Sequence, residues 1–292
     1  MRIAFGQDRV VGFLVGPLVV LASVGVAAEG GSGSQSAPAT QAPAPVQVPA
    51  QAPRGAPKVA PSLAPFREDV KGTALHFDMV PVTPRDAAIK PFLIAKVETT
   101  WDLYDVFLFG FDQKEPGGST PEADAVTRPS KPYISMDRGF GHAGFPVISV
   151  SYLGAKRYCE WLSIKTGRTY RLPTVEEWKA ACELGLAGID DRGPLAWSKE
   201  TAGSATKAVG TARADALGLH DMLGNASEWC TDAEGKGVTL GGTFRDSLSA
   251  LGCSFVVPYS AEWNASDPQF PKSKWWLADG GFVGFRVVCE PR

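Results

Sequence analysis

Apolar and polar positions follow a clear period in only a few stretches of this chain. The runs 77–82 (Phe77-Asp78-Met79-Val80-Pro81-Val82) and 91–97 (Pro91-Phe92-Leu93-Ile94-Ala95-Lys96-Val97) read as short strands. The first is limited by Pro81, which has no N–H to give to a ladder. Thr99-Thr100-Trp101-Asp102 opens a helix. With Thr99 as N-cap, Asp102 falls at the third helical position, and Leu103, Val106 and Phe107 share one face. The clearest helix is 152–165. Ser151 caps it, Ala155, Tyr158, Cys159 and Leu162 form the buried stripe, and Gly167 stops it. A second helix starts at Thr174, where Glu177 completes a capping box and Trp178 follows. Arg171-Leu172-Pro173 is its entry turn. The last run, Gly284-Phe285-Arg286-Val287-Val288-Cys289, reads as a closing strand that needs burial. Residues 111–145 are rich in Gly, Pro and Asp and form a long irregular insertion, either a surface excursion or a site-forming loop. Few helices, short strands and long loops predict an irregular α+β domain and exclude an alternating βαβ fold.

The N-terminus has a different character. Arg2 and Arg9 precede an apolar run over 10–26 that ends in Val26-Ala27-Ala28, a small-residue cleavage site. Residues 1–28 therefore read as a secretory signal peptide, and the protein as exported to a periplasmic or extracellular space. The run is slightly long for a signal, so a retained membrane anchor is the alternative. Residues 29–72 are dominated by Pro, Ala, Gly, Ser and Gln and read as a disordered linker, which leaves 73–292 as the folded domain.

Composition sharpens this picture in three places. The net charge of -2 predicts no nucleic-acid footprint. All eight tryptophans lie beyond residue 100, so that end of the chain can bury a large core. Trp263 and the Trp275-Trp276 pair either rim a cleft or belong to that core. The five cysteines, Cys159, Cys182, Cys230, Cys253 and Cys289, form no C-x-x-C pair, which argues against a zinc ribbon or a thioredoxin-type motif. In an exported protein they allow two disulfides and one remaining thiol. The three histidines, His76, His142 and His220, are not at metal-pair spacing. Asn225-Ala226-Ser227 and Asn264-Ala265-Ser266 are glycosylation sequons.

The stretch 217–230 has neither period. Gly218, Gly224 and Asn225 mark tight turns, with Asp221 and Glu228 on either side. Two carboxylates around a Gly-Asn turn suit a hard cation such as Ca²⁺. The alternative is an ordered loop in which one carboxylate caps a turn and the other joins a surface ion pair.

Four stretches in order carry a family resemblance. They are Pro146-Val147-Ile148-Ser149-Val150-Ser151 with Tyr158-Cys159-Glu160-Trp161-Leu162; Thr166-Gly167-Arg168-Thr169-Tyr170-Arg171-Leu172-Pro173-Thr174 with Glu177-Trp178; Gly218 to Trp229; and Gly241-Gly242-Thr243 with Gly284-Phe285-Arg286. The chain resembles the sulfatase-modifying-factor family, that is, formylglycine-generating enzymes and their relatives. The resemblance implies a single domain of the irregular C-type-lectin-like kind. It implies a calcium held by Asp221, Gly224, Ala226 and Glu228. It also implies disulfides between Cys159 and Cys289 and between Cys182 and Cys253, with Cys230 left as a buried thiol.

The resemblance does not extend to oxidase chemistry. Members that oxidise a protein cysteine to formylglycine bind Cu(I) through two thiolates, and soft ligands suit that ion. The aligned positions here are Asp246 and Leu251, so copper is not expected and no catalytic residue is assigned. The expected function is an exported, calcium-stabilised binding or accessory module, with a divergent oxidase of a protein cysteine or a small molecule as the alternative. The expected partner is a protein, peptide or carbohydrate, and a membrane only if the N-terminal segment is retained.

Overall fold

The computed structural model describes residues 63–291, so the expected signal peptide and most of the expected linker lie outside the described residues. In chain order the elements are β1 (Phe66–Asp69), β2 (His76–Val82), β3 (Phe92–Ala95), α1 (Trp101–Phe109), α2 (Pro121–Asp124), α3 (Tyr152–Thr166), β4 (Tyr170–Arg171) and α4 (Val175–Gly185). They continue with β5 (Ala196–Trp197), β6 (Leu223–Gly224), β7 (Ser227–Thr231), β8 (Gly237–Leu240), β9 (Val256–Pro258), β10 (Val283–Gly284) and β11 (Val288–Cys289). Short turns of 3-10 helix occur between them. This is the mixed, loop-rich architecture that the aperiodic sequence predicts.

The strands make three small sheets. A five-stranded sheet runs β1-β2-β3-β11-β4, so the end of the chain is inserted between early strands. Val288 stands opposite Ile94 on one side and Arg171 on the other, both in antiparallel register. A second sheet runs β10-β7-β8-β9, with β10 parallel to β7, and a third pairs β5 with β6. The expected closing strand 284–289 is thus two short strands, one in each larger sheet. Phe285, Arg286 and Val287 cross between them, fully buried. β1 lies inside the span expected to be linker, so the folded part begins before residue 73. Its alternating half-buried side chains, paired to β2, are what the proline-rich composition upstream obscured.

The helices follow their expected caps closely. Ser151 Oγ accepts from Gly154 N at 3.1 Å at the start of α3, and Gly167 ends it in the left-handed region. Thr174 and Glu177 form both bonds of the capping box on α4, and Arg171 grips the same Glu177 carboxylate at 2.6 and 2.7 Å. On α1 the cap is Thr100 rather than Thr99, with its hydroxyl accepting from Leu103 N. Thr99 is spent instead on a bridge, giving its carbonyl to Val147 N.

Two apolar clusters fill the interior. One packs α1 and α3 around Tyr104, Phe107, Tyr158, Trp161 and Phe285; the other packs α4 against β6 and β8 around Trp178. Trp275 and Trp276 both belong to the first cluster, because they sit in a loop rather than a strand and can turn inward together. Trp276 stacks on Trp101 and donates to the Ser130 carbonyl at 2.8 Å. The long insertion is pinned to α3 by a buried ion pair, Lys165 Nζ to Asp112 Oδ2 at 2.6 Å, and Lys165 also donates to the Gly118 carbonyl.

Candidate functional site

The Gly-Asn stretch folds into a left-handed corner. Asn225 has φ 53° and Gly224 φ 79°, and a Cβ on Gly224 would stand 2.1 Å from the Trp197 carbonyl oxygen. Only glycine fits there. Asparagine is one of the few other residues that visits this region, and here its side chain is held by partners distant in the sequence. Asn225 Oδ1 accepts from Lys207 N at 2.8 Å and its Nδ2 donates to Glu98 Oε2 at 2.7 Å.

Around this corner the motifs of the chain converge. Glu98 Oε1 accepts from Ala226 N at 2.9 Å. Glu228 is gripped by Arg286, with Nε on Oε2 and Nη2 on Oε1, each at 2.6 Å. Trp178 Nε1 adds a third bond to Glu228 Oε2 at 2.8 Å. Arg286 also donates to the backbone carbonyls of Ala95 and His220. Asp221 Oδ2 accepts from Gly210 N at 2.7 Å, while its Oδ1 has no hydrogen-bond partner. Glu98, Asp221, Glu228 and Arg286 are at most 2 % exposed, so this is a core network and not a surface cluster. Burial, then the charges of Asp221 and Glu228, push the Glu98 carboxyl well above its ordinary range. Burial likewise raises Asp221, against the pull of the Gly210 N–H and of Arg286.

Of the four groups expected to hold calcium, Glu228 is bonded to Arg286 through both oxygens, while the buried Asp221 Oδ1 has no hydrogen-bond partner. Both Glu228 oxygens are taken by a guanidinium, and an arginine in the ligand shell repels a cation. Glu228 is in an ion pair, but a buried one inside the core and not the surface pair that the ordered-loop alternative expects. Glu98 was missed by sequence reasoning. A carboxylate directly after the apolar run 91–97 was the available signal, since a charge at the end of a buried strand needs partners.

The turn after Gly241-Gly242 is closed by its own side chains. Asp246 Oδ2 accepts from Thr243 N and Thr243 Oγ1, both at 2.8 Å. Leu251 is buried in the second core cluster. Cys253 is bonded to Cys182, as the resemblance implied. The Cys159–Cys289 bridge is not formed. Cys159 is a buried free thiol of α3, and Cys289 Sγ donates to the Glu290 carbonyl at 3.4 Å. Burial pushes the Cys159 and Cys230 thiols far up, which makes both poor nucleophiles. Beside the turn, the Arg245 guanidinium lies over the rings of Phe244 and Phe282 at 5.1 and 4.8 Å. Neither sequon asparagine is open to a glycan: Asn225 and Asn264 are buried and hydrogen-bonded. His220 is a satisfied structural ring, with Nδ1 2.9 Å from the Ala212 carbonyl.

Few helices, curled sheets and a loop-borne polar core define a domain of the irregular C-type-lectin-like class. Residues 65–291 match the family described as sulfatase-modifying factor enzyme 1-like domain, and the chain belongs to that family. A segment of 95 residues is 35 % identical to the serine/threonine-protein kinase pkn1 of Chlamydia pneumoniae, covering 32 % of this chain and 14 % of the kinase. The chaperone protein LppX of Paenibacillus barcinonensis is 31 % identical over 102 residues, 27 % of this chain and 36 % of that protein. The chain thus spans well under half the length of these curated relatives. Among solved structures, Treponema denticola variable protein 1 superposes with TM-score 0.54 at 18 % identity, covering 79 % of this chain and 100 % of that one. CarF superposes with TM-score 0.50 at 17 % identity, covering 80 % and 100 %. At such identities the likeness is one of fold.

Proposed function

We propose that this domain is an exported binding or accessory module that does not carry out copper-dependent formylglycine chemistry. The observation that carries the reading is the chemistry of the Gly241-Gly242 turn. A Cu(I) site of the family's kind needs two thiolates, and the aligned positions hold Asp246, committed to its own turn, and Leu251, packed in the core. Cys253, two positions beyond Leu251, is in a disulfide. That disulfide also supports export, because such bonds persist in oxidising compartments. The buried Arg286–Glu228 pair cross-links the Gly-Asn loop to the segment after β10. One relative is described as a chaperone, which is an accessory role, and this agrees with the reading.

The deciding experiment is incubation of the purified protein with Cu(I), O₂ and a cysteine-containing sulfatase-motif peptide, read by mass spectrometry. No formylglycine is expected. Turnover of the peptide cysteine to formylglycine would replace the module with an oxidase.

A further inference from the structure

The first turn of α3 separates two clefts. One, of about 600 Å³, is lined by Tyr152, Leu153, Lys156, Arg171 and Leu172 among others. The other, of about 440 Å³, is lined by Tyr152, Leu153, Lys236, Val238, Tyr259 and Lys274 among others. Because Tyr152 and Leu153 line both, the clefts adjoin. Their common wall is held firmly: the Tyr152 hydroxyl lies 2.8 Å from Thr231 Oγ1, and its ring packs on Trp229. Tyr259 is 52 % exposed and backed by Trp229 and Trp263, so it offers a fixed apolar face to solvent.

Lysine and arginine outnumber carboxylates around the clefts, whose lining carboxylates are Glu160 and Asp232. Arg157 is paired with Glu160, and Arg171 with Glu177. Lys156, Lys236 and Lys274 are exposed, and none is within ion-pair distance of a carboxylate among the described residues. Lys156 lies over the Tyr152 ring and Lys274 over the Trp275 ring, so two of the three stems rest on aromatic faces. The one carboxylate lining the second cleft, Asp232, is committed through Oδ1 to the backbone N–H groups of Glu234 and Lys236.

We infer that the paired clefts bind an extended acidic peptide whose apolar side chains enter beside Leu153, Leu172, Val238 and Tyr259 while its carboxylates meet the three lysines. This rests on the binding-module reading and names its partner class. Each cleft has the size of an ordinary ligand site. Charge complementarity selects an acidic partner. An apolar floor with a basic rim suits peptide side chains better than sugar hydroxyls. Asn264, the carboxamide lining the second cleft, is already used, since it donates to Asp267 and Ser273 and accepts from Ala278 N.

The test is fluorescence anisotropy of the full chain with a labelled peptide of alternating glutamate and leucine, with the matching lysine–leucine peptide and heparin as comparisons. Binding of the acidic peptide alone is expected. It should weaken at least about tenfold in the triple variant Lys156→Glu, Lys236→Glu, Lys274→Glu, and also at high salt. All three lysines are exposed, and circular dichroism with thermal melting establishes that the variant is folded. Acidic-peptide binding that the triple variant leaves unchanged, preferential binding of heparin, or no binding would each overturn the inference. The peptide has no cysteine, so a negative result here is independent of the formylglycine assay.

Discussion

Arg286 and Glu228 form a fork-to-fork pair inside the core, with two nitrogens of one facing two oxygens of the other at 2.6 Å. The pair joins the segment between β10 and β11 to β7, and Trp178 extends it to α4. Replacing the guanidinium leaves Glu228 charged and buried beside Glu98 and Asp221. Arg286→Met is therefore expected to destabilise the fold by about 3–5 kcal/mol, measured by urea denaturation. Arg286→Lys should not rescue it fully, because an ammonium cannot bond both oxygens in that planar geometry. The double variant Arg286→Met, Glu228→Leu should recover part of the loss. Wild-type stability in Arg286→Met would refute a structural role for the pair.

The same pair bears on calcium. If Arg286 neutralises Glu228 and leaves no hard-ion cage, removing divalent cations changes nothing that holds the loop. Melting temperatures with EDTA and with excess CaCl₂ are expected to coincide, and elemental analysis should find no stoichiometric calcium. A melting point that climbs with calcium concentration, as linkage requires of any ion that binds only the folded state, would show that the Gly-Asn loop holds an ion beside the Arg286–Glu228 pair.

The parts of the fold legible in the sequence were those with local physical causes. Ser151, Gly167 and the Thr174–Glu177 box marked helix ends because caps act within one turn. Arg286 and Glu228 were visible as motif residues, yet their pairing was not, since they are separated by most of the second sheet. Glu98 was invisible as a site residue for the same reason: its partner Asn225 is 127 positions away. The Cys182–Cys253 pairing was implied by resemblance, while Cys159 and Cys289 share that resemblance without the geometry. β1 was hidden because four residues of alternating burial carry almost no periodic signal beside a proline-rich stretch.

The Cys182–Cys253 disulfide closes 71 positions of chain, linking α4 to the loop after β8. Its removal in Cys182→Ala, Cys253→Ala is expected to cost about 2–4 kcal/mol, mainly by loosening the unfolded chain. A reductant should lower the melting temperature of the wild type and leave the double variant unaffected. Native-state labelling with a maleimide should leave Cys159 and Cys230 unmodified until the protein is unfolded, because both are buried and burial disfavours their thiolates. Rapid labelling of either thiol in the folded protein would contradict this packing.

His142 ties the end of the long insertion to α1. Its Nε2 lies 2.8 Å from Asp105 Oδ2 and its Nδ1 3.0 Å from Asp137 Oδ2, and its ring stacks on Trp101 at 5.0 Å. A neutral imidazole can donate from only one nitrogen, so both contacts are favourable only when the ring is protonated. Partial burial works against the charge, but the bonds to Asp105 and Asp137 outweigh it, and the His142 pKa is raised. Asp102 stands nearby and fixes the same loop by accepting from Gly144 N. A raised folded-state pKa means that the clamp's contribution is fully present below the unfolded value of about 6.5 and is lost as pH rises through the folded one. Burial raises Asp105, so its ionisation opposes the folded state as pH rises through the acid range. Asp137 is held low despite burial by Ser135, Gly139 and His142, so its contribution disappears as pH falls through its lowered pKa. The ring's side chain is 46 % exposed, which limits the clamp to about 1 kcal/mol at most. His142→Gln should therefore melt below the wild type at about pH 6 and converge with it at alkaline pH, while proton NMR of the imidazole reports the raised pKa directly. A gap between the two melting curves that stays constant across that range would show that His142 contributes only packing against Trp101.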